Sequence, residues 1–256
     1  MKTATLSSLV VLLGLATGCV TEGIVTEPES PEEAAEANLA LGLAYLVEQE
    51  RPDLAIPLLS RAVEHDPRLA RGHYALALAF DQTGDLDLAE QHHRRATQLE
   101  PSNPQFQNGS GVFLCRQNRW RDAEPYFRRA IGSANGANPL SWIVNAGNCA
   151  ADDGDLEAAD LYFRQALDID AAWPDALRGM MDVSIRSGDF GRALPFWQRL
   201  DGSGAPIRAE DLLSCYAIEM RAGVATAAEA CADRLQREFP GSQALRQLRE
   251  LQRDAG

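Results

Sequence analysis

Small and apolar residues recur in this chain with a period of about 34 residues, and within each period their spacing is helical. One alanine marks each unit, in the series Ala55, Ala89, Ala123, Ala159, Ala193 and Ala228. A second marker stands twelve or thirteen positions earlier and is small in the first four units, in the series Gly42, Ala77, Gly111, Gly147, Met181 and Tyr216. Small residues let two helices approach closely, so each unit is predicted to be a pair of packed helices.

Turn and helix-start signals fall where this pairing requires them. Gly-Asp pairs separate the two helices of three units, at residues 84–85, 154–155 and 188–189. Prolines open four of the first helices, at Pro31, Pro104, Pro139 and Pro174. Proline is tolerated at the first helical position, because the N–H group that it lacks has no helical partner there.

This organisation resembles the tetratricopeptide repeat. The resemblance implies an all-α fold, a right-handed superhelical solenoid of about six helix pairs with a C-terminal capping helix. The predicted repeats are residues 31–67, 68–101, 104–138, 139–172, 174–205 and 206–240, followed by a cap at 241–253. In the cap, Leu245, Leu248 and Leu251 share one face, as expected of a helix that covers the end of a solenoid.

The first 19 residues carry a localisation signal. An apolar run from Thr3 to Gly18 follows Lys2 and ends in the letters LATGC, at residues 15–19. The run is too short to span a bilayer, and its basic start and small-residue end are typical of a secretory signal peptide. The ending resembles the lipobox of bacterial lipoproteins, which implies cleavage after residue 18 and lipidation of Cys19. The alternative is an ordinary signal peptide that leaves Cys19 free.

The same resemblance implies where the mature chain is held. Val20 follows Cys19, and a non-acidic residue there indicates, by similarity to lipoprotein sorting, the periplasmic face of the outer membrane. Residues 20–30 show no hydrophobic period and are predicted to be a flexible tether. No apolar run of about 20 residues follows the signal, so the lipid is the predicted membrane anchor.

Charge and residue spacing argue against several functions. The chain has 256 residues and a formal net charge of −13, whereas binding to nucleic acid requires a basic surface. The histidines His65, His73, His92 and His93 form no zinc-binding motif, and no GxSxG or phosphate-binding glycine loop is present. The acidic letters DDGD at residues 152–155 lack the later ligands of a calcium loop. The sequence therefore predicts a protein-binding scaffold rather than an enzyme, with no cofactor, metal or small-molecule substrate.

Four segments resemble the type IV pilus biogenesis lipoprotein family, PilF/PilW. They read GVFLCRQNRWRDAEPYF, NPLSWIVNAGNCAADDGDLEAADLYFRQAL, AEDLLSCYAIEM and RLQREFPGS. The resemblance covers the lipobox and residues 31–243, and departs from the family at residues 105–111 and at Tyr216. It implies a scaffold on the outer membrane that binds the secretin subunit of the pilus machinery. Its expected role is to promote secretin localisation and multimer assembly, or pilus stability.

The family resemblance also bears on the cysteines. The family places cysteines at positions that correspond to Cys115 and Cys149, and both fall late in the first helices of neighbouring repeats. We expect a disulfide between them, with two buried free thiols as the alternative. Cys215 and Cys231 lie on paired helices of the sixth repeat, and we expect them to be free thiols in the core, with a second disulfide as the alternative.

Two other functions fit the same fold, because solenoids of this kind bind many partners. One is a general envelope adaptor that recruits peptidoglycan enzymes or other periplasmic partners. The other is a chaperone that binds cargo in secretion or lipoprotein traffic.

The first helix predicts a partner site. Leu41, Gly42 and Tyr45 are expected to pack within the repeat, whereas Leu39, Leu43 and Leu46 form a second apolar stripe that is expected to face a concave groove. The same stripe in later repeats runs through Tyr74, Leu78, Asp81, Asn108, Val112, Cys115, Val144, Asn148, Ala151, Arg178, Asp182 and Ile185. We expect an amphipathic secretin segment to bind the apolar part, at Leu39, Leu43, Leu46, Tyr74 and Leu78. The alternative is that residues 20–30 or a second copy cover it.

Overall fold

The computed structural model describes residues 30–133 and 138–254, and these residues fold into thirteen α-helices. The helices are α1 (Pro31–Leu43), α2 (Pro52–His65), α3 (Ala70–Thr83), α4 (Leu86–Leu99), α5 (Pro104–Cys115), α6 (Trp120–Gly132), α7 (Leu140–Asp153), α8 (Leu156–Ile169), α9 (Pro174–Arg186), α10 (Phe190–Gly202), α11 (Ala209–Arg221), α12 (Ala225–Glu238) and α13 (Gln243–Asp254). One π-helical turn, Ala44–Glu48, continues α1. The predicted signal segment and Cys19 lie outside the described residues.

Consecutive helices pack as six pairs, α1 with α2 through α11 with α12, and each pair contacts the next. This confirms the predicted all-α solenoid. The alanine series of the second helices is fully buried. The glycines of the first helices lie against large residues of the second: a β-carbon on Gly42 would stand 2.6 Å from Leu59, and one on Gly111 would stand 2.8 Å from Phe127. The small residues therefore allow the close helix approach that the period predicts.

The turns inside the repeats are tight. Gly84 ends α3 and Gly154 ends α7, with φ angles of 86° and 89°, a left-handed conformation that favours glycine. The next residue, Asp155, caps α8 by accepting a hydrogen bond from the Ala158 amide at 3.0 Å. The Gly-Asp pairs thus end one helix and begin its partner.

Arginines of the second helices connect neighbouring repeats. Arg95 of α4 donates to the Pro67 carbonyl after α2, and Arg199 of α10 donates to the Ala171 carbonyl after α8. Both bonds reach back 28 residues and satisfy a carbonyl beyond a helix C-terminus. The same contact therefore recurs at two junctions and helps to set the spacing of the pairs.

The last helix closes the solenoid. Ala244, Leu245 and Leu248 of α13 are buried against α11 and α12, and Leu251 is half exposed. None of the described helices is long and apolar enough to cross a membrane.

Candidate functional site: a polar concave groove

The predicted apolar partner site at the N-terminal end is wrong for two of its five residues. Leu39 and Leu46 are only 2% and 3% exposed, and they form a core cluster with Leu59 of α2 and Leu76 of α3. Leu43 and Leu78 are half-buried against the same cluster. The stripe is thus mainly a packing surface between the first two repeats.

One feature of α1 accounts for the error. The helix packs against α3 as well as α2, so the stripe that does not face its own partner faces the next repeat. Leu46, in the π-helical turn Ala44–Glu48, lies in the same core cluster as Leu39. Leu41, which was expected in the packing face, is instead 49% exposed, while Gly42 is buried and Tyr45 half-buried.

Tyr74 also serves packing. Its ring lies 4.8 Å from the Phe106 ring and makes an edge contact with His93, and its hydroxyl lies directly against Gly109 of α5. Burial raises the pKa of Tyr74. This tyrosine fills the junction between the second and third repeats.

The open groove of the solenoid lies further along the chain. It has a volume of about 570 Å³, is walled mainly by α7 and α9, and ends at Arg208 just before α11. Five residues of the stripe that the sequence predicted in the later repeats line it, namely Val144, Asn148, Ala151, Arg178 and Asp182. Part of that stripe therefore contributes to the groove lining, although its N-terminal part is covered.

An aromatic ring forms the floor of the groove. Phe163 of α8 is buried and lies between Gly147 of α7 and Gly179 of α9, where any β-carbon would overlap its ring. The half-buried Trp173, just before α9, adds a second aromatic surface. Two glycines on adjacent first helices thus bring a core phenylalanine to the base of the groove.

An ion-pair network forms one end. Arg178 Nε lies 3.0 Å and 3.1 Å from the two carboxylate oxygens of Asp211, which is only 5% exposed. Arg178 also donates to Asp175 at 3.2 Å and to the Pro206 carbonyl at 2.8 Å. Arg208 completes the network by donating to Asp175 at 2.9 Å. These charges are therefore already paired within the protein.

Uncharged amides lie on the same surface. Asn145 of α7 donates to Asn108 of α5 at 3.1 Å, which joins two neighbouring repeats across the groove side. Asn148, one turn further along α7, is exposed. Side-chain amides carry both donors and an acceptor, so they can pair with a peptide group in the way that main chain does.

Sequence reasoning missed several lining residues, including Phe163, Trp173, Asp175 and Arg208. The repeat period predicted that Phe163 lies in the core. Nothing in the sequence indicates that the glycines packed on its ring place the ring at the base of the groove. Trp173 and Asp175 flank Pro174, so a helix-start signal marked their place without indicating their direction. Arg208 lies in the connection to α11, where helical periodicity gives no information.

The four cysteines within the described residues form two disulfides. Cys115 of α5 is bonded to Cys149 of α7, with Cα atoms 5.6 Å apart, and this bond joins the helices that also carry Asn108 and Asn145. Cys215 of α11 is bonded to Cys231 of α12, with Cα atoms 6.1 Å apart. Both separations are usual for disulfides. The expectation of free thiols at Cys215 and Cys231 is contradicted, because close pairing of α11 and α12 brings them together.

Three of the histidines cluster away from the groove, on α3 and α4. The Nδ1 atoms of His73 and His92 are 3.0 Å apart, and burial followed by the charge of His73 lowers the pKa of His92 to about 4. His93 is buried beside Phe113, and burial lowers its pKa to about 4. Across the described residues, no three His, Cys, Asp or Glu side chains are arranged to hold a metal ion.

Comparison with known proteins defines the class. A family model described as tetratricopeptide repeat matches four overlapping stretches, at residues 29–67, 45–104, 74–138 and 114–176. Together they cover more than half of the chain, which therefore belongs to the tetratricopeptide repeat family. Proteins of this class typically serve as protein-interaction scaffolds.

Individual relatives indicate which members of this family the chain is similar to. The type IV pilus assembly protein PilF of Pseudomonas aeruginosa is 29% identical over 213 residues, which are 81% of this chain and 83% of PilF. The crystal structure of PilW, described as a widely conserved type IV pilus biogenesis factor, matches with a TM-score of 0.71 at 24% identity over 84% of this chain and 97% of PilW. A structure of Pseudomonas aeruginosa PilF gives 0.69 at 24% identity, over 86% and 98%. The predicted resemblance to the PilF/PilW family is confirmed.

Proposed function

We propose that this chain is an outer-membrane lipoprotein that binds the secretin subunit of the type IV pilus machinery and promotes assembly of the secretin multimer or pilus stability. The observation that carries the proposal is the likeness to PilF along 81% of the chain. In this proposal the lipid on Cys19 holds the protein on the periplasmic face of the membrane, and the solenoid acts by binding rather than by catalysis.

The groove between α7 and α9 is the proposed binding site for the secretin. It is an open concave surface, and its floor and one end are fixed by Phe163 and by the pairing of Arg178 with Asp211. A rigid floor reduces the entropy lost on binding. The N-terminal stripe is not proposed as the site, because Leu39 and Leu46 stabilise the fold from within.

A deletion strain tests the function. Heat-stable secretin multimers, detected by immunoblot, should disappear on deletion and return with the wild-type gene. Asn148→Trp should fail to restore them, because an indole at this exposed position would fill the groove. Gln165→Trp is the matched control, since Gln165 is an exposed side-chain amide of α8 that does not line the groove.

The outcomes separate the candidate functions. Multimers that persist in the deletion strain would contradict the proposal. Loss of multimers on deletion, together with full rescue by Asn148→Trp, would support the proposed function but would show that the secretin binds elsewhere on the protein. Unchanged multimers together with mislocalised peptidoglycan enzymes would favour the general envelope adaptor.

A further inference from the structure

We propose that a cleft between α4 and α6 binds the headgroup of an anionic phospholipid and thereby orients the second and third repeats on the membrane. This cleft is walled mainly by second helices, whereas the groove proposed for the secretin is walled by the first helices α7 and α9. The two sites can therefore be occupied together. In the cell, the proposal rests on the lipid anchor of the proposed function, because the anchor brings the cleft to a membrane.

The charge of this region is opposite to that of the chain as a whole. Residues 86–132, from the start of α4 to the end of α6, carry seven arginines against five aspartates and glutamates. The whole chain has 24 basic and 37 acidic residues. Acidic residues elsewhere act only weakly on the cleft, because at physiological ionic strength charges more than about 8 Å apart are largely screened.

Arginines form the rim of the cleft, which has a volume of about 350 Å³. Its charged lining consists of Arg94, Arg119, Arg121, Arg129, Glu90 and Asp122. Glu90 accepts from Arg94 at 2.5 Å and from Arg119 at 2.8 Å. Arg119 also donates to Asp122 at 2.8 Å. Both acidic groups are thus already neutralised by two of the four arginines.

The other two arginines are left for a ligand. Arg121 and Arg129 are exposed, and neither forms an ion pair with another residue in the part of the chain that the structure describes. The guanidinium of Arg129 lies 5.3 Å from the centre of the Tyr126 ring, and this cation–π contact holds it at the cleft. An arginine fork matches two oxygens of a phosphate group, so this pair suits a phosphate-type anion.

The uncharged part of the lining indicates which source of phosphate fits. It consists of Leu114, which is buried, Pro125, and the half-buried Tyr126. A free phosphate ion has no apolar group to place on this surface, whereas a phospholipid carries glycerol and acyl carbons beside its phosphate. Tyrosine is also common at membrane interfaces, where its ring is apolar and its hydroxyl polar. Arginines around an apolar floor therefore fit an amphiphilic anion.

The proposed anchor keeps the cleft close to such a ligand. Eleven residues separate Cys19 from Pro31, and a fully extended chain of that length reaches at most about 40 Å. An anchored protein therefore meets the lipid surface at a high effective concentration. A headgroup site that is weak by itself is then sufficient to orient the solenoid.

The test measures vesicle binding by the purified chain from residue 20 onward, which lacks the acylated cysteine. Every described contact lies within residues 30–254, so this chain keeps the fold. Sedimentation with vesicles at about 0.15 M salt gives a partition coefficient. The chain should bind vesicles that are an equal mixture of phosphatidylglycerol and phosphatidylcholine, and it should remain in solution with phosphatidylcholine alone.

Protein variants assign the contact to the cleft. Arg121→Gln combined with Arg129→Gln should weaken the partition coefficient at least tenfold, because each arginine near an anionic surface contributes about fivefold. Arg237→Gln combined with Arg249→Gln is the matched control, since it removes two exposed arginines of α12 and α13 that lie outside the cleft. It should change the coefficient less than threefold. Thermal melting by circular dichroism checks that each variant is folded.

Several results would overturn the proposal. These are no binding to the mixed vesicles, unchanged binding by the cleft variant, or equal losses in the cleft variant and its control. Calorimetry with inorganic phosphate tests the free anion, and arginine-dependent binding as tight as that to phosphatidylglycerol would contradict the lipid assignment. Arginine-dependent binding of a polyglutamate peptide without vesicle binding would assign the cleft to an acidic protein instead.

The vesicle assay contains no secretin, so its result is independent of the proposed function. Arginine-dependent vesicle binding by a protein whose deletion leaves secretin multimers intact would support the lipid site and contradict the secretin role. Loss of multimers on deletion, with no vesicle binding by the purified chain, would contradict the lipid site alone.

Discussion

Phe163 of α8 lies directly beneath Gly179 of α9, so that one core ring is shared by the fourth and fifth repeats and by the groove above them. Gly147 of α7 contacts the same ring from the other side, where a β-carbon would stand 2.7 Å away. The glycines that permit helix packing are thus also the residues that shape the proposed binding surface.

Gly179→Ala should lower the free energy of unfolding by about 1–3 kcal/mol, because the added methyl group overlaps a ring that cannot move in a packed core. Urea denaturation followed by circular dichroism measures this. Gly202→Ala is the control: beyond its chain neighbours and the backbone of its own helix, no described atom lies within 4 Å of the methyl group it would add, so no overlap should destabilise the fold. Equal midpoints for Gly179→Ala and wild type would show that Phe163 is not fixed there.

Asp211→Ala should cost about 3 kcal/mol of stability, because it leaves the largely buried guanidinium of Arg178 without its main partner. Asp53→Ala breaks an exposed pair with Arg51, which solvent screens, and should cost far less stability. The same denaturation assay compares them. If the two variants were equally stable, the Arg178–Asp211 pair would not contribute to the fold.

Lowering the pH should destabilise the second repeat, because His93 is buried there. Burial holds the folded-state pKa near 4, below the ordinary value of 6.5, so the unfolded chain takes up the proton first. Stability is then lost as the pH falls from about 6.5 towards 4, on the order of 3 kcal/mol for this group. The denaturation midpoint at pH 7 and pH 5 measures the loss.

A His93→Phe variant provides the matched control for this pH effect. Phe127 and Phe163 occupy the same position in the third and fourth repeats, so the ring is expected to fit. The variant should lose less stability than wild type between pH 7 and pH 5. An identical pH dependence would assign the acid sensitivity to other groups.

Thiol labelling of denatured, unreduced protein should find no reactive thiol among Cys115, Cys149, Cys215 and Cys231. Reduction should expose all four and destabilise the fold. The Cys115–Cys149 bond closes the larger loop, with a sequence separation of 34, and should stabilise the fold by about 4 kcal/mol on the chain-entropy argument. Cys115→Ser with Cys149→Ser should reproduce that loss, and labelling of two sites in the unreduced wild type would contradict one bond.

Replacing Cys19 should release the protein from the membrane. Acyl chains contribute about 0.8 kcal/mol per buried CH₂ group, and two or more chains anchor a protein stably. Cys19→Ser should therefore appear in the soluble periplasmic fraction or remain unprocessed, whereas the wild type should fractionate with the outer membrane. Wild-type processing and fractionation of the variant would refute lipidation.

The repeat architecture was predictable because it depends on local spacing. The alanine series and the Gly-Asp turns mark each helix pair, and neither depends on distant contacts. The partner site was less predictable, since it depends on which apolar residues the next repeat covers. Leu43 and Asn148 have equivalent spacing, yet Leu43 packs against the core cluster of the first two repeats whereas Asn148 is exposed in the groove.

Two local details were also beyond the pattern. One is the π-helical turn Ala44–Glu48, for which the letters AYLVE give no signal. The pairing of Cys215 with Cys231 depends on how closely α11 approaches α12, which the poor fit of Tyr216 obscured.

The contacts that link only neighbouring pairs have a mechanical consequence. If the chain is held at its N-terminal end and pulled by a segment in the groove, tension passes through the first three repeats and leaves at α7 and α9, the first helices of the fourth and fifth repeats. The Cys115–Cys149 bond lies within that load path as a covalent bridge between two of its helices. The helices α12 and α13 lie beyond the groove and outside that path, so the far end of the solenoid stays relaxed while the groove is pulled.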